Sequence, residues 1–228
     1  MTKYEFTGET KTVFGVTLNR IRALVKIKLG WYTVEIGELG GWIEKESNLS
    51  HEGNAWVYGD ARVWGNARVY GDARVYGDAE VCGNARVYGD ARVYGDARVY
   101  GDARVYGDAE VCGNAWVWGN AEVCGNAEVW GNADVYGDAR VCGDAEVYGN
   151  AWVCKMTHYV VMGPMGSRNA FTTFMRCKDD AIKVRCGCFF GTIDEFLAKV
   201  KETHGDSKHA KVYRAAVEVA KAQIELDD

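Results

Sequence analysis

From Ala55 to Ala151 an alanine returns every six residues, seventeen times without a gap. Two residues after each comes a valine, from Val57 to Val153. A bulky or thiol side chain follows (Tyr58, Trp64, Cys82), then Gly with Asp or Asn, as in Gly59-Asp60 and Gly65-Asn66. The unit is Ala-x-Val-Φ-Gly-(Asp/Asn), with x mostly Arg or Glu. A helix cannot use this pattern. Period six drifts around a 3.6-residue turn, and each glycine would cost about 1 kcal/mol. A short strand can use it, with Ala and Val on one side and x and Φ on the other. The Gly-Asp/Asn pair accepts φ > 0 and turns the chain after four strand residues. Six residues per strand and turn are too few for hairpins, so successive coils must stack in parallel. With three hexads per coil, the array is roughly 25 Å tall at the ~4.8 Å strand spacing. Each buried Val contributes on the order of 1.5–3 kcal/mol before the entropy of ordering is counted against it.

The phase of the coil is open at this stage. The segment Ala79–Asn84 recurs at Ala109–Asn114 and at Ala121–Asn126. The first spacing is a multiple of six but not of eighteen, so the units look interchangeable between faces.

Composition narrows the partners. The chain has 28 Gly but 1 Pro, which assigns glycine to regular turns rather than to flexible linkers. A net charge of −5 excludes a polycation that would coat nucleic acid, which is not an expected partner. No apolar run approaches the ~18–20 residues that span a bilayer, and no secretory segment is visible, so no membrane partner and a cytoplasmic location are expected. In a reducing compartment the eight cysteines read as free thiols. Five of them (Cys82, Cys112, Cys124, Cys142, Cys154) occupy position Φ and stand in for Tyr.

Three regions follow: an N-terminal cap over 1–54, the repeat over 55–154, and a C-terminal α+β domain over 155–228. A solenoid needs caps because its ends expose unpaired strand edges. In the first region Thr17–Leu24 alternates as a strand with Arg20 and Arg22 outward, and Leu39–Ile43 leads into the first coil. In the third, strands are expected at His158–Met162, Phe171–Cys177 and Ile182–Cys188. A helix begins at the capping box Thr192…Glu195 and ends near Gly205, and a second runs from Lys208 to Ile224. These helices are expected to lie over the last coil.

The repeat resembles the hexapeptide-repeat family of left-handed triangular β-helices, in the aliphatic position and the small residue two places before it. It departs from that family where Tyr, Trp or Cys follows the aliphatic residue. The flanking stretches Lys3–Thr10, Leu39–Glu44 and Gly187–Phe196 are similar to uncharacterised proteins of bacteriophages and prophages of gut bacteria. The resemblance implies a mainly β protein, a left-handed parallel β-helix with an N-terminal cap and a small C-terminal α+β domain, and a viral origin. It implies no particular reaction.

Four sites come into question. Hexapeptide acyltransferases use a histidine on a loop between coils as general base, but His51, His158, His204 and His209 all lie outside the uninterrupted repeat. Cys177, Cys186 and Cys188, with His158 or His204, could ligate zinc, although the spacing favours buried structural thiols and no metal is expected. The loop Gly163–Asn169 could bind an anion through Ser167, Arg168 and Asn169 with Thr172 and Thr173 beside it; the plain reading is a solvated hairpin turn. Finally, x and Φ form outward ladders. Arginines crowd the first half and acids the second, with cation–π contact from Tyr offsetting the stacked like charge. Tyr58, Trp64, Trp116, Trp118 and Trp130 are the candidate interface residues. Within 55–154, eight Arg face ten Asp and five Glu, a net of −7. The Arg ladders interrupt any DNA-mimicking stripe. The expectation is a non-enzymatic, cofactor-free, homo-oligomeric interaction protein that binds a host or self protein in counter-defence. The alternatives are capture of a small anionic, nucleotide-like ligand and acyl transfer.

Overall fold

A computed structural model describes residues 2–30 and 32–226. The x-Val pairs form seventeen two-residue strands, β6 (Trp56–Val57) to β22 (Trp152–Val153), as period two with a glycine corner requires. They pair in parallel with the strand eighteen residues away, Val63 with Val81 and Val81 with Val99 on one face. Val57 pairs with Val75 on the second face and Val69 with Val87 on the third. The expected three hexads per coil hold throughout, and the pairing fixes which units share a face. Every repeat Ala and Val is buried in one continuous core. The corner glycines all take φ near +70°, and successive corners stack backbone on backbone.

The ladder starts before the first regular hexad. Strand β5 (Leu39–Ile43) pairs in parallel with Arg62–Val63, and Leu49 bridges Val69, so Ile43 and Leu49 fill the valine positions of an irregular first coil. A hairpin of β1 (Tyr4–Val13) and β2 (Val16–Ala23) continues the first face through antiparallel pairing of β2 with β5. A smaller hairpin, β3 (Ile27–Leu29) with β4 (Tyr32–Val34), lies beside it. The Tyr4 hydroxyl lies 3.0 Å from the carbonyls of both Glu46 and Leu49. Lys3 is 3% exposed and its Nζ donates to Ala55 O at 2.7 Å. Burial lowers its pKa to about 8. This cap also buries Trp56, an x residue expected to face outward.

The C-terminal region is an antiparallel meander of β23 (Tyr159–Met165), β24 (Ala170–Arg176), β25 (Ile182–Cys186) and β26 (Phe189–Thr192). Helices α1 (Ile193–His204) and α2 (Lys208–Gln223) follow. The single strand expected over Ile182–Cys188 is instead a hairpin folded at Gly187, whose φ is +58°. The capping box is formed, Thr192 N donating to Glu195 Oε2 at 2.8 Å.

The sheet, and not the helices, lies on the last coil. Alternation along β24 explains this: Met175, with Cys177 just beyond the strand, joins the solenoid core, whereas Phe174 joins the helix core with Phe196, Val200 and Val217. The last coil has no coil beyond it to accept its amides. Glu146 N donates to Thr173 Oγ1 at 3.0 Å and Tyr148 N to Met175 Sδ at 3.4 Å, replacing the missing carbonyls. Arg185 pairs with Glu146 at 2.7 Å and Lys178 with Asp134 at 2.9 Å, pinning the sheet to the rod.

Candidate functional site

The eighteen-residue coil decides what the outward columns are. Glu80 stands between Arg62 at 3.0 Å and Arg98 at 3.6 Å, and is 8% exposed. Glu122 stands between Arg104 at 2.9 Å and Arg140 at 3.4 Å, and Arg92 pairs with Glu110. The separation into a basic and an acidic half is therefore corrected in part, because coil stacking places acids directly against arginines. An acidic run persists at Glu110, Glu128 and Glu146, where burial and its two neighbours raise the Glu128 carboxyl. Within the columns tyrosines stack on one another rather than on the repeat's arginines: Tyr58, Tyr76 and Tyr94 at 4.8 Å steps, and Tyr70 on Tyr88 at 4.8 Å. The reading of every cysteine as a free thiol is also corrected. Cys124 and Cys142 are bonded, being position Φ in successive coils with Cα atoms 4.6 Å apart.

Four of the five expected interface aromatics are half-buried. Tyr58 lies in its stack beside the β3–β4 hairpin, and Trp64 meets Phe14 at 6.4 Å. Trp130 lies under Tyr148 and Arg185, against the C-terminal domain. Trp116 is 38% exposed, with Arg98 over its ring at 5.1 Å. It shares the first face with Trp118, which stacks on Tyr136 at 4.7 Å, and Tyr136 meets the edge of Trp152 at 5.8 Å. Trp152, 37% exposed, completes this aromatic area. Sequence reasoning missed it, although it stands two coils from Trp116 in the same column.

A cleft of about 350 Å³ lies in the C-terminal domain. The β23–β24 turn supplies Ser167 and Arg168, the β25–β26 turn Cys186, Cys188 and Phe189, and α1 Phe196, Lys199, Val200, Thr203 and His204. Tyr213 of α2 closes it. Of the five residues expected to bind an anion, the structure brings Ser167 and Arg168 into this cleft. Asn169 sits at the exposed turn with φ +51°. Thr172 and Thr173 are buried, Thr172 donating to Cys186 Sγ at 3.2 Å and Thr173 accepting from the last coil. Placing these two threonines beside the anion is thereby corrected: strand alternation sends them to opposite faces of the sheet, Thr172 under the helices and Thr173 against the last coil, and both faces are covered. Lys199 and Tyr213 carried no sequence signal beyond helix periodicity, and His204 was weighed only as a general base or a zinc ligand.

The remaining histidines and thiols are dispersed. His51 stacks on Tyr4 at 4.4 Å and accepts from Lys3 N at 3.1 Å. His158 is buried beside Cys154, with 3.5 Å from Nδ1 to Sγ. His204 and His209 have ring centroids 5.9 Å apart. Cys177 is buried, which raises its thiol to about 12. Cys186 half-lines the cleft, and Cys188 is exposed. Among the described residues no three His, Cys, Asp or Glu side chains converge as metal ligands. No helix among them is long and apolar enough to cross a membrane.

The family model of the YdcK β-solenoid repeat matches residues 67–83, 79–95, 85–101, 91–107 and 97–113. These overlapping matches span residues 67–113, about a fifth of the chain, and agree with the parallel β-solenoid seen in the structure. No curated protein matches the chain.

Proposed function

We propose that this chain is a non-enzymatic binding protein that works by surface contact. Its solenoid is a stiff post, closed at one end by the N-terminal hairpins and at the other by the C-terminal sheet. The observation that carries the reading is the open aromatic area of Trp116, Trp118, Tyr136 and Trp152 on the first face. Exposed tryptophans held by edge-on ring contacts and, at Trp116, by Arg98 lose little side-chain entropy on association, and they are the residue type in which binding energy concentrates. The occupant is a protein, either a host protein or a second copy of this chain. In its wider form the reading is of a cytoplasmic bacteriophage or prophage product acting on a host protein in counter-defence. The likeness of Lys3–Thr10, Leu39–Glu44 and Gly187–Phe196 to phage proteins supports that form.

Two measurements test the reading. Light scattering coupled to size exclusion reports self-association, and a clean 25.2 kDa monomer removes the second copy as occupant. Retention of a host protein by the wild type, lost in Trp116→Ala/Trp152→Ala with unchanged circular dichroism, supports the face. Retention equal in both proteins overturns it. Acyl transfer is favoured by nothing in the geometry, since His51 and His158 are packed at opposite ends of the rod.

A further inference from the structure

The cleft of the C-terminal domain combines features that folding alone does not require. We infer that it is a binding site for a small planar anion, an aromatic or heteroaromatic ring system bearing a phosphate, sulfonate or carboxylate. This goes beyond the protein-binding face proposed above and does not depend on it.

The floor of the cleft is a ring cluster. Phe196 lies 5.4 Å from Phe189 and 5.4 Å from Tyr213, edge-on to the latter, and His204 stacks on Tyr213 at 5.8 Å. Flat walls of this kind take a flat ligand through offset or edge contacts. A volume of about 350 Å³ suits one or two fused rings with a charged substituent, at the small end of the ~300–1,000 Å³ typical of ligand pockets.

The rim supplies the charge preference. Arg168 and Lys199 stand on it with the hydroxyls of Ser167 and Thr203, and no carboxylate among the described residues lines the cleft. Lys199 pairs with Glu202 at 3.0 Å on an exposed stretch of α1, an arrangement solvent keeps weak. Arg168 has no carboxylate partner among the described residues; its contact is Cys188 Sγ at 4.0 Å. An unneutralised guanidinium over an apolar floor offers a planar fork of donors to an incoming anion.

Both hairpin turns leave room for cleft side chains. A Cβ on Gly187 would lie 2.6 Å from Arg168 Nη1, and one on Gly166 would lie 1.8 Å from the Tyr213 hydroxyl. Their positive φ values, +58° and +71°, explain glycine as turn residues. The close approaches add that these turns seat Arg168 and Tyr213.

The test uses the intact chain with 1-anilinonaphthalene-8-sulfonate as probe and N-phenyl-1-naphthylamine as its uncharged counterpart. Fluorescence titration should show one saturable site for the sulfonate and at least tenfold weaker binding of the neutral compound. Arg168→Ala and Lys199→Ala should each weaken the sulfonate tenfold or more, and Arg168→Lys by less, with thermal unfolding matched to the wild type. Saturating sulfonate should slow iodoacetamide modification of Cys188 while leaving Cys82 unaffected. Competition with AMP and with salicylate separates a phosphate from a carboxylate ligand by which displaces the probe at lower concentration. Sulfonate affinity unchanged in Arg168→Ala/Lys199→Ala, equal affinity for the neutral probe, or displacement by neither competitor would overturn the proposal.

Discussion

Replacing Gly89 with alanine should unfold the solenoid more readily than the same replacement at Gly143, although the two share one backbone conformation, φ +72° and +73°. At Gly143, on the last coil, an added Cβ meets nothing within 4 Å. That substitution costs the left-handed conformation alone, about 1–2 kcal/mol for a residue with a Cβ. At Gly89 the Cβ would lie 2.9 Å from Gly107 N and 3.0 Å from its O. Restoring van der Waals separation opens the corner by roughly 0.5 Å. The bonds across that gap, Asp90 N to Gly107 O at 2.8 Å and Tyr88 N to Val105 O at 3.0 Å, would be stretched past the usual ~3.2 Å limit. Each is worth about 1 kcal/mol. The expected losses are about 3–4 kcal/mol for Gly89→Ala and about 1–2 kcal/mol for Gly143→Ala. Guanidinium unfolding followed by far-ultraviolet circular dichroism measures both, comparing midpoints at constant slope. Val87→Ala and Val141→Ala control for position along the array, since inner and terminal repeats need not contribute equally. Equal losses at the two glycines would refute the stacking argument, as would a valine pair that differs by as much as the glycine pair.

Lys3, held at about 8 when folded against an ordinary 10.5, binds fewer protons folded than unfolded above pH 8. Its burial penalty is therefore present at neutral pH and relieved as pH rises, so stability relative to Lys3→Met should climb by on the order of 2 kcal/mol toward pH 9.5. A flat difference curve in urea titrations at each pH would remove the buried-amine argument. Breaking the Cys124–Cys142 bond, which spans 18 residues, should cost about 3 kcal/mol in guanidinium unfolding. A non-reducing peptide map that finds both as free thiols contradicts the pairing itself. Glu80→Gln should cost about 2 kcal/mol, whereas Glu122→Gln, whose arginines are more exposed, should cost under about 1 kcal/mol. Calorimetric melts that rank these two in the opposite order would refute the dependence on burial.

The coil was legible because its determinants are local: a two-residue alternation and a corner that only glycine fills comfortably. The first coil was not, because Ile43 and Leu49 do the work of valine without the spacing of the hexad. Strand β1 was missed for a related reason. Its exposed residues Gly8–Thr10 lack an apolar face, and it is held by pairing with β2. In the C-terminal domain the capping box and helix lengths could be read directly. Which layer touches the rod could not, since it follows from the last coil's need for acceptors, met by the side chains of Thr173 and Met175.

The coil phase is written in the sequence at a longer stride than the repeat. Glu80 has arginine eighteen residues to either side, at Arg62 and Arg98, and so does Glu122, at Arg104 and Arg140. Cys124 and Cys142 keep the same spacing. Stacked coils bring these residues within ~5 Å, where opposite charges attract and like charges repel, so column composition matters although every backbone unit is alike. Reading each hexad against its neighbour in sequence hides this, because that neighbour lies on another face. The same logic separates the cleft from the rod: Arg168, Lys199 and Tyr213 come from a turn and two helices and share no period. Their meeting depends on the sheet that caps the solenoid, so the long-range event that closes the rod also builds the cleft.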